Sequence, residues 1–133
     1  DYKKLDIHTG DEFFSLGYPL GKSSNQYGFP IVRKGIISSY PIVSGKTVKT
    51  FLFNIDVFEG DSGGPVYFAH SARTSIDTLH AENTQFIAGL VSHEKLGVKY
   101  VNSPFKDSSK AKELNLAEVI PAIFIKETID KLP

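Results

Sequence analysis

Cysteine, methionine and tryptophan are all missing from the 133 residues. Without cysteine there is no disulfide framework, although the lack of cysteine does not prove a reducing compartment. Without methionine there is no natural start, so the expectation is a segment of something longer. The opening Asp1-Tyr2-Lys3-Lys4-Leu5-Asp6 does not read as a leader peptide either. With no cysteine and no leader, localisation stays open with a lean toward the cytoplasm. Net charge is also missing, because Lys plus Arg and Asp plus Glu both number 15. A balanced chain exerts no general pull on nucleic acid or anionic lipid, so neither is an expected partner. No apolar run approaches the length of a bilayer span. There is no internal repeat, no low-complexity tract and no visible cluster of metal ligands, so no metal or organic cofactor is expected.

What is there is ordinary for a globular chain: 41% hydrophobic and 23% charged residues, enough to fill one small core. Short apolar stretches predict strands over 11–16, 31–40, 48–55, 65–68, 86–91 and 116–120. Turn residues such as Gly17-Tyr18-Pro19-Leu20-Gly21 separate them. In the third stretch Phe51, Phe53 and Ile55 share one face. Gly35 marks a bulge or a close approach inside the second. Polar stretches at 70–84 and 95–115 read as long loops. After Pro121 the period changes: Ile125, Ile129 and Leu132 fall on one helical face and are expected to pack a last helix onto the strands. Strands at this spacing point to a barrel or a sandwich.

One segment carries chemistry: Gly60-Asp61-Ser62-Gly63-Gly64-Pro65. A serine hydroxyl is a poor nucleophile at neutral pH and needs a neighbouring base. It also needs backbone N–H groups aimed at the oxygen that gains charge. Glycines on both sides of Ser62 permit the tight turn that would point the Gly60 and Ser62 N–H groups inward. A plain glycine-rich turn between strands is the alternative, and six matching positions in a β-rich chain weigh against it.

The hexapeptide resembles the nucleophile signature of the chymotrypsin/trypsin superfamily of serine peptidases. Other stretches are similar to its single-chain bacterial branch, which includes the Deg/HtrA proteases. They run in order: Gly10-Asp11-Glu12-Phe13-Phe14-Ser15-Leu16-Gly17-Tyr18-Pro19-Leu20-Gly21, Val32-Arg33-Lys34-Gly35-Ile36-Ile37-Ser38, Ala88-Gly89-Leu90-Val91-Ser92, and Val119-Ile120-Pro121. The resemblance covers nearly the whole chain and implies an all-β fold: a six-stranded antiparallel Greek-key barrel, the second of two, with a C-terminal α-helix. It implies a serine endopeptidase that works through an acyl-enzyme on a peptide or protein substrate. In that family the histidine base and its aspartate come from a first barrel, and no part of this sequence resembles one. His8, His70 and His80 are expected at the surface, and the missing N-terminal barrel becomes an expected partner. By itself the chain is expected to be inactive.

The resemblance also assigns lesser roles. Asp61, next to the nucleophile, is expected to bond nearby backbone or a polar partner and shape the oxyanion loop. Ser92, His93 and Glu94 match the strand that pairs with the substrate backbone. Phe58 and Glu59, with Val57, would wall a side-chain pocket opposite His93 and Glu94. Asp56 stands where a pocket carboxylate for Lys or Arg would be, or where relatives keep a loop-stabilising aspartate. His93 could instead favour an acidic side chain, or the pocket could take small or apolar groups. Against all of this stands a non-catalytic reading, in which the barrel binds peptides or a partner protein by strand pairing. The residues encoded before Asp1 separate the two.

Overall fold

Alternation across the pleat sorts the first strand, β1 (Glu12–Gly17), into buried Phe13, Ser15 and Gly17 and more exposed Glu12, Phe14 and Leu16. The next strand, β2 (Ile31–Ile37), alternates too: Ile31, Arg33, Gly35 and Ile37 are turned inward, and Val32, Lys34 and Ile36 outward. Both belong to a computed structural model that describes residues 7–43, 47–70, 73–74, 79–80, 84–94, 99–100, 111–112 and 115–133. At 70, 73–74, 79–80, 84, 93–94, 99–100 and 111–112 only the backbone is described. A short 3-10 turn, Pro19–Gly21, follows β1. Further along come β3 (Phe51–Asn54), β4 (Pro65–His70), the two-residue strands β5 (Arg73–Thr74) and β6 (Leu79–His80), then β7 (Thr84–Glu94). The chain ends with β8 (Lys99–Tyr100), β9 (Ala111–Lys112), β10 (Ala117–Pro121) and the helix α1 (Ala122–Ile129).

Six of these strands close into an antiparallel barrel in the order β1-β2-β3-β10-β7-β4. β1, β2 and β3 meander, and β4 returns to lie beside β1, which is the Greek-key connection that the resemblance implies. Closure leaves the barrel strands no bare edge along most of their length. Gly35 is a close-approach point, not a bulge: it pairs in register with Phe13, and a methyl there would run into the Asn54 carbonyl and the Phe53 ring. The two register shifts lie elsewhere. One is between Val66 and Tyr67 on β4, the other between Glu118 and Val119 on β10.

Inside the barrel the Phe13, Phe68 and Phe86 rings form a triangle with centroid separations of 5.0, 5.3 and 6.0 Å. Ile7, Ile37, Phe53, Ile55, Val66, Val91, Ala117 and Val119 complete the core. Each large apolar side chain buried there stabilises the fold by about 1.5–3 kcal/mol. Phe53 and Ile55 share the buried face read from the alternation, with Phe51 packed against it.

The C-terminal helix differs from expectation. It touches β7 and β10 through its first turns, where Ala122, Ile123, Phe124 and Ile125 are half-buried. Ile129 is 60% exposed and Leu132 66%, so neither packs onto the barrel. For Leu132 the reason is length, because α1 stops at Ile129 and Leu132 lies beyond its end. The stretches read as loops at 70–84 and 95–115 are not wholly irregular. Each contains a small antiparallel ladder, β5 with β6 and β8 with β9.

Candidate active site

Ser62 sits on a tight turn between β3 and β4, at the rim of the barrel and exposed. The turn is stitched together by its own backbone. Asp61 N–H donates to the Phe58 carbonyl at 3.0 Å, and Gly64 N–H to the Asp61 carbonyl at 2.9 Å. It is then pinned to β7, because Gly63 N–H donates to the Val91 carbonyl at 2.7 Å and Val91 N–H to the Gly64 carbonyl at 2.9 Å. The Ser62 hydroxyl donates to the Ser92 carbonyl at 3.0 Å.

That contact depends on the register shift in β10. Val91 pairs with Val119 and His93 with Glu118, which leaves Ser92 as the extra residue of a β-bulge. In a regular strand consecutive carbonyls point to opposite sides. The bulge lets the Val91 and Ser92 carbonyls both face the Ser62 turn. β4 pairs with β7 only as far as Leu90, while β10 continues to Glu94. The ladder with β4 therefore stops short of Ser92, His93 and Glu94.

On the other flank the chain is held by the segment after β1. Tyr18 N–H donates to the Gly60 carbonyl at 3.3 Å and Leu20 N–H to the Glu59 carbonyl at 2.7 Å. In a trans peptide C=O and N–H point in opposite directions. With the Glu59 carbonyl fixed on Leu20, the Gly60 N–H points away from that segment. Among the described residues neither the Gly60 nor the Ser62 N–H makes a hydrogen bond. Gly60 has φ 97, and a methyl there would overlap the Tyr18 carbonyl, so the turn requires glycine at this position.

Asp61 is 1% exposed and points away from the rim. Its Oδ2 accepts from Phe58 N–H at 2.7 Å and pairs with the Arg33 guanidinium at 2.6 Å. Arg33 also donates to the Asp56 carbonyl at 2.6 Å, and its guanidinium carbon lies 5.7 Å from the centroid of the Phe58 ring. Ser15 faces Arg33 across β1 and β2. Ser15 Oγ, Arg33 Nε and Asp61 Oδ1 are buried without a hydrogen-bond partner among the described residues. Arg33 was not among the expected site residues. Its signal was parity, since it occupies the same face of β2 as Ile31 and Ile37.

The structure thus gathers Ser62, Gly60, Asp61 and the Ser92 carbonyl into one cluster, with Phe58 beside it under Arg33. The Asp56 and Glu59 side chains are exposed and engage through their carbonyls. His93 and Glu94 continue the strand past Ser92, and their side chains lie outside the described residues, as do those of His70 and His80. His8 is exposed, and its N–H donates to Asp11 at 2.8 Å. No family model, no curated protein and no solved structure matches this chain.

Proposed function

We propose that this chain is the nucleophile-bearing barrel of a trypsin-like serine endopeptidase. One observation carries the reading. Ser62 is exposed on a turn pinned on both flanks, with the Gly60 and Ser62 N–H groups unengaged and, beside it, the end of β7 beyond its last pairing with β4. A peptide laid antiparallel along Ser92, His93 and Glu94 would gain main-chain hydrogen bonds from that strand end. Its scissile carbonyl would then stand over Ser62. Attack by Oγ forms the Oγ–C bond and moves the carbonyl π electrons onto oxygen, where the Gly60 and Ser62 N–H groups meet the charge. The Oγ proton passes to a base and then to the leaving amine as the C–N bond breaks. Water hydrolyses the acyl-enzyme by the same path in reverse.

The base is not Ser62's present partner, because the Ser92 carbonyl accepts a hydrogen bond and cannot take up the proton. We assign the base and its aspartate to a preceding barrel. Without them the serine retains oxyanion stabilisation and substrate binding, with a turnover loss on the order of a millionfold.

The test compares the 133-residue chain with the protein carrying the residues encoded before Asp1. A fluorophosphonate probe should label the longer protein at Ser62 and the shorter one far more slowly. Ser62→Ala should abolish both labelling and peptide cleavage. If the longer protein is unlabelled yet binds peptides along β7, the chain is a binding domain and the peptidase reading fails.

A further inference from the structure

Three buried polar atoms on the inner wall of the barrel, Ser15 Oγ, Arg33 Nε and Asp61 Oδ1, have no partner among the described residues. Ser15 and Asp61 are each 1% exposed, so bulk water does not reach them. Leaving such groups unpaired is costly, and buried polar side chains are almost always bonded to protein or to an ordered water. The three atoms are close neighbours. Ser15 pairs with Arg33 across β1 and β2, and both side chains are turned inward. Gly17 is the next inward position of β1. A methyl there would lie 2.4 Å from Asp61 Oδ1, so that oxygen stands directly over Gly17. The ion pair itself is one-ended: Arg33 Nη2 meets Asp61 Oδ2, while Nη1 is turned to the Asp56 carbonyl. Nε and Oδ1, which a side-on pair would join, are both left over. Ser15 and Gly17 stand about 6.8 Å apart along β1. That spacing is too wide for a direct bond and suits one shared oxygen, since two hydrogen bonds of about 2.8 Å span roughly 5 Å.

We propose that this corner of the barrel wall is a binding site for a single buried water molecule. The water accepts from Arg33 Nε–H, donates to Asp61 Oδ1 and shares its third hydrogen bond with the Ser15 hydroxyl. One donor, one acceptor and one hydroxyl make up the three partners that a buried water typically has. An ion does not suit the site. The Arg33 and Asp61 charges already balance, so a further cation or anion would bring an unpaired charge into the barrel. The site also accounts for Ser15, the one polar side chain that β1 turns inward, between Phe13 and Gly17. It does not rest on the peptidase reading.

A high-resolution crystal structure of the 133-residue chain tests this. One ordered oxygen should lie within hydrogen-bonding distance of Ser15 Oγ, Arg33 Nε and Asp61 Oδ1 together. A direct bond from Nε to Oδ1, a side chain in that position or an empty corner would overturn the proposal. Unfolding in urea gives an independent reading. With the hydroxyl bonded to the water, Ser15→Ala should lower the ratio of folded to unfolded protein about fivefold. An unpaired hydroxyl would behave in the opposite way, because removing it relieves a buried polar group that nothing satisfies. A ratio that rises in Ser15→Ala would therefore overturn the proposal as well. Should Ser15→Ala fail to fold, the wild-type structure decides. Peptidase activity, present or absent, bears on neither measurement.

Discussion

Leu20 N–H reaches the Glu59 carbonyl across 2.7 Å, and Leu20 does so from a left-handed backbone, φ 54. Leucine in that region costs roughly 1–2 kcal/mol relative to a right-handed conformation. The strain falls at the contact that orients the Glu59–Gly60 peptide. Leu20→Gly keeps the N–H and relieves the strain, and it sacrifices little burial because the side chain is mostly exposed. Glycine's greater freedom in the unfolded chain offsets part of the gain. We expect Leu20→Gly to be neutral or stabilising by up to about 1 kcal/mol in a urea titration. Leu20→Pro removes the N–H and cannot adopt a positive φ. It should lower both the urea midpoint and the rate of Ser62 labelling in the longer protein.

Gly60 and Gly63 flank Asp61 and Ser62 at similar dihedrals, φ 97 and 83, but in different surroundings. A methyl at Gly60 would overlap the Tyr18 carbonyl, whereas a methyl at Gly63 would meet nothing within 4 Å. Gly63→Ala should therefore cost only the backbone strain, about 1–2 kcal/mol. Gly60→Ala adds a clash against a carbonyl already held in the turn, a further 1–3 kcal/mol or so. Thermal unfolding of the two variants side by side checks the ordering. Equal losses would mean that the segment carrying Tyr18 yields freely, and it would weaken the case that this segment holds the Glu59–Gly60 peptide.

The pairing of Arg33 with Asp61 also makes a prediction about stability. Removing one member of a buried pair leaves the other charge uncompensated, which typically costs about 3–5 kcal/mol. Arg33 retains some solvent contact, so Asp61→Ala should fall near the lower end, about 3 kcal/mol. The double variant Arg33→Ala/Asp61→Ala should lose clearly less than the sum of the single losses, since the two residues share one interaction. Additive losses in urea titrations of the four proteins would show that the pair is not coupled.

The strands and the helix were legible because their information is local, whereas spacing alone left barrel and sandwich open and the closed Greek-key barrel was what the resemblance implied. Alternation at Phe51, Phe53 and Ile55 marks a half-buried strand, and the change of period after Pro121 marks a helix. The Ser62 turn was legible for a similar reason, since glycines on both sides of a serine constrain one short stretch of backbone. The Arg33–Asp61 pair was harder to see. Arg33 and Lys34 are adjacent cations with opposite fates: Lys34 faces out to Glu12 at 2.7 Å, while Arg33 faces in. Only the parity shared with Ile31 and Ile37 separates them. The bulge at Ser92 is a property of register between two strands, which neither strand's sequence expresses alone. The helical face of Ile125, Ile129 and Leu132 was a sound period, but periodicity does not say where a helix stops or what lies opposite it.

Asp56 offers a clean separation of backbone from side chain. Its carbonyl accepts from Arg33, and that bond survives any substitution, while its carboxylate is exposed. Asp56→Ala should therefore leave stability within about 0.5 kcal/mol of wild type. A change in cleavage preference would then report the carboxylate itself. Exposed ion pairs are worth about 0.2–1 kcal/mol, so a solvated Asp56 can favour Lys or Arg before the scissile bond by no more than roughly fivefold. We expect a profile of the longer protein against a peptide library to show that small preference or none, and Asp56→Ala to remove whatever is there. A loss of basic-site cleavage by a hundredfold or more in Asp56→Ala would contradict this expectation. It would mean that bound substrate buries the carboxylate, turning an exposed side chain into the floor of a closed pocket.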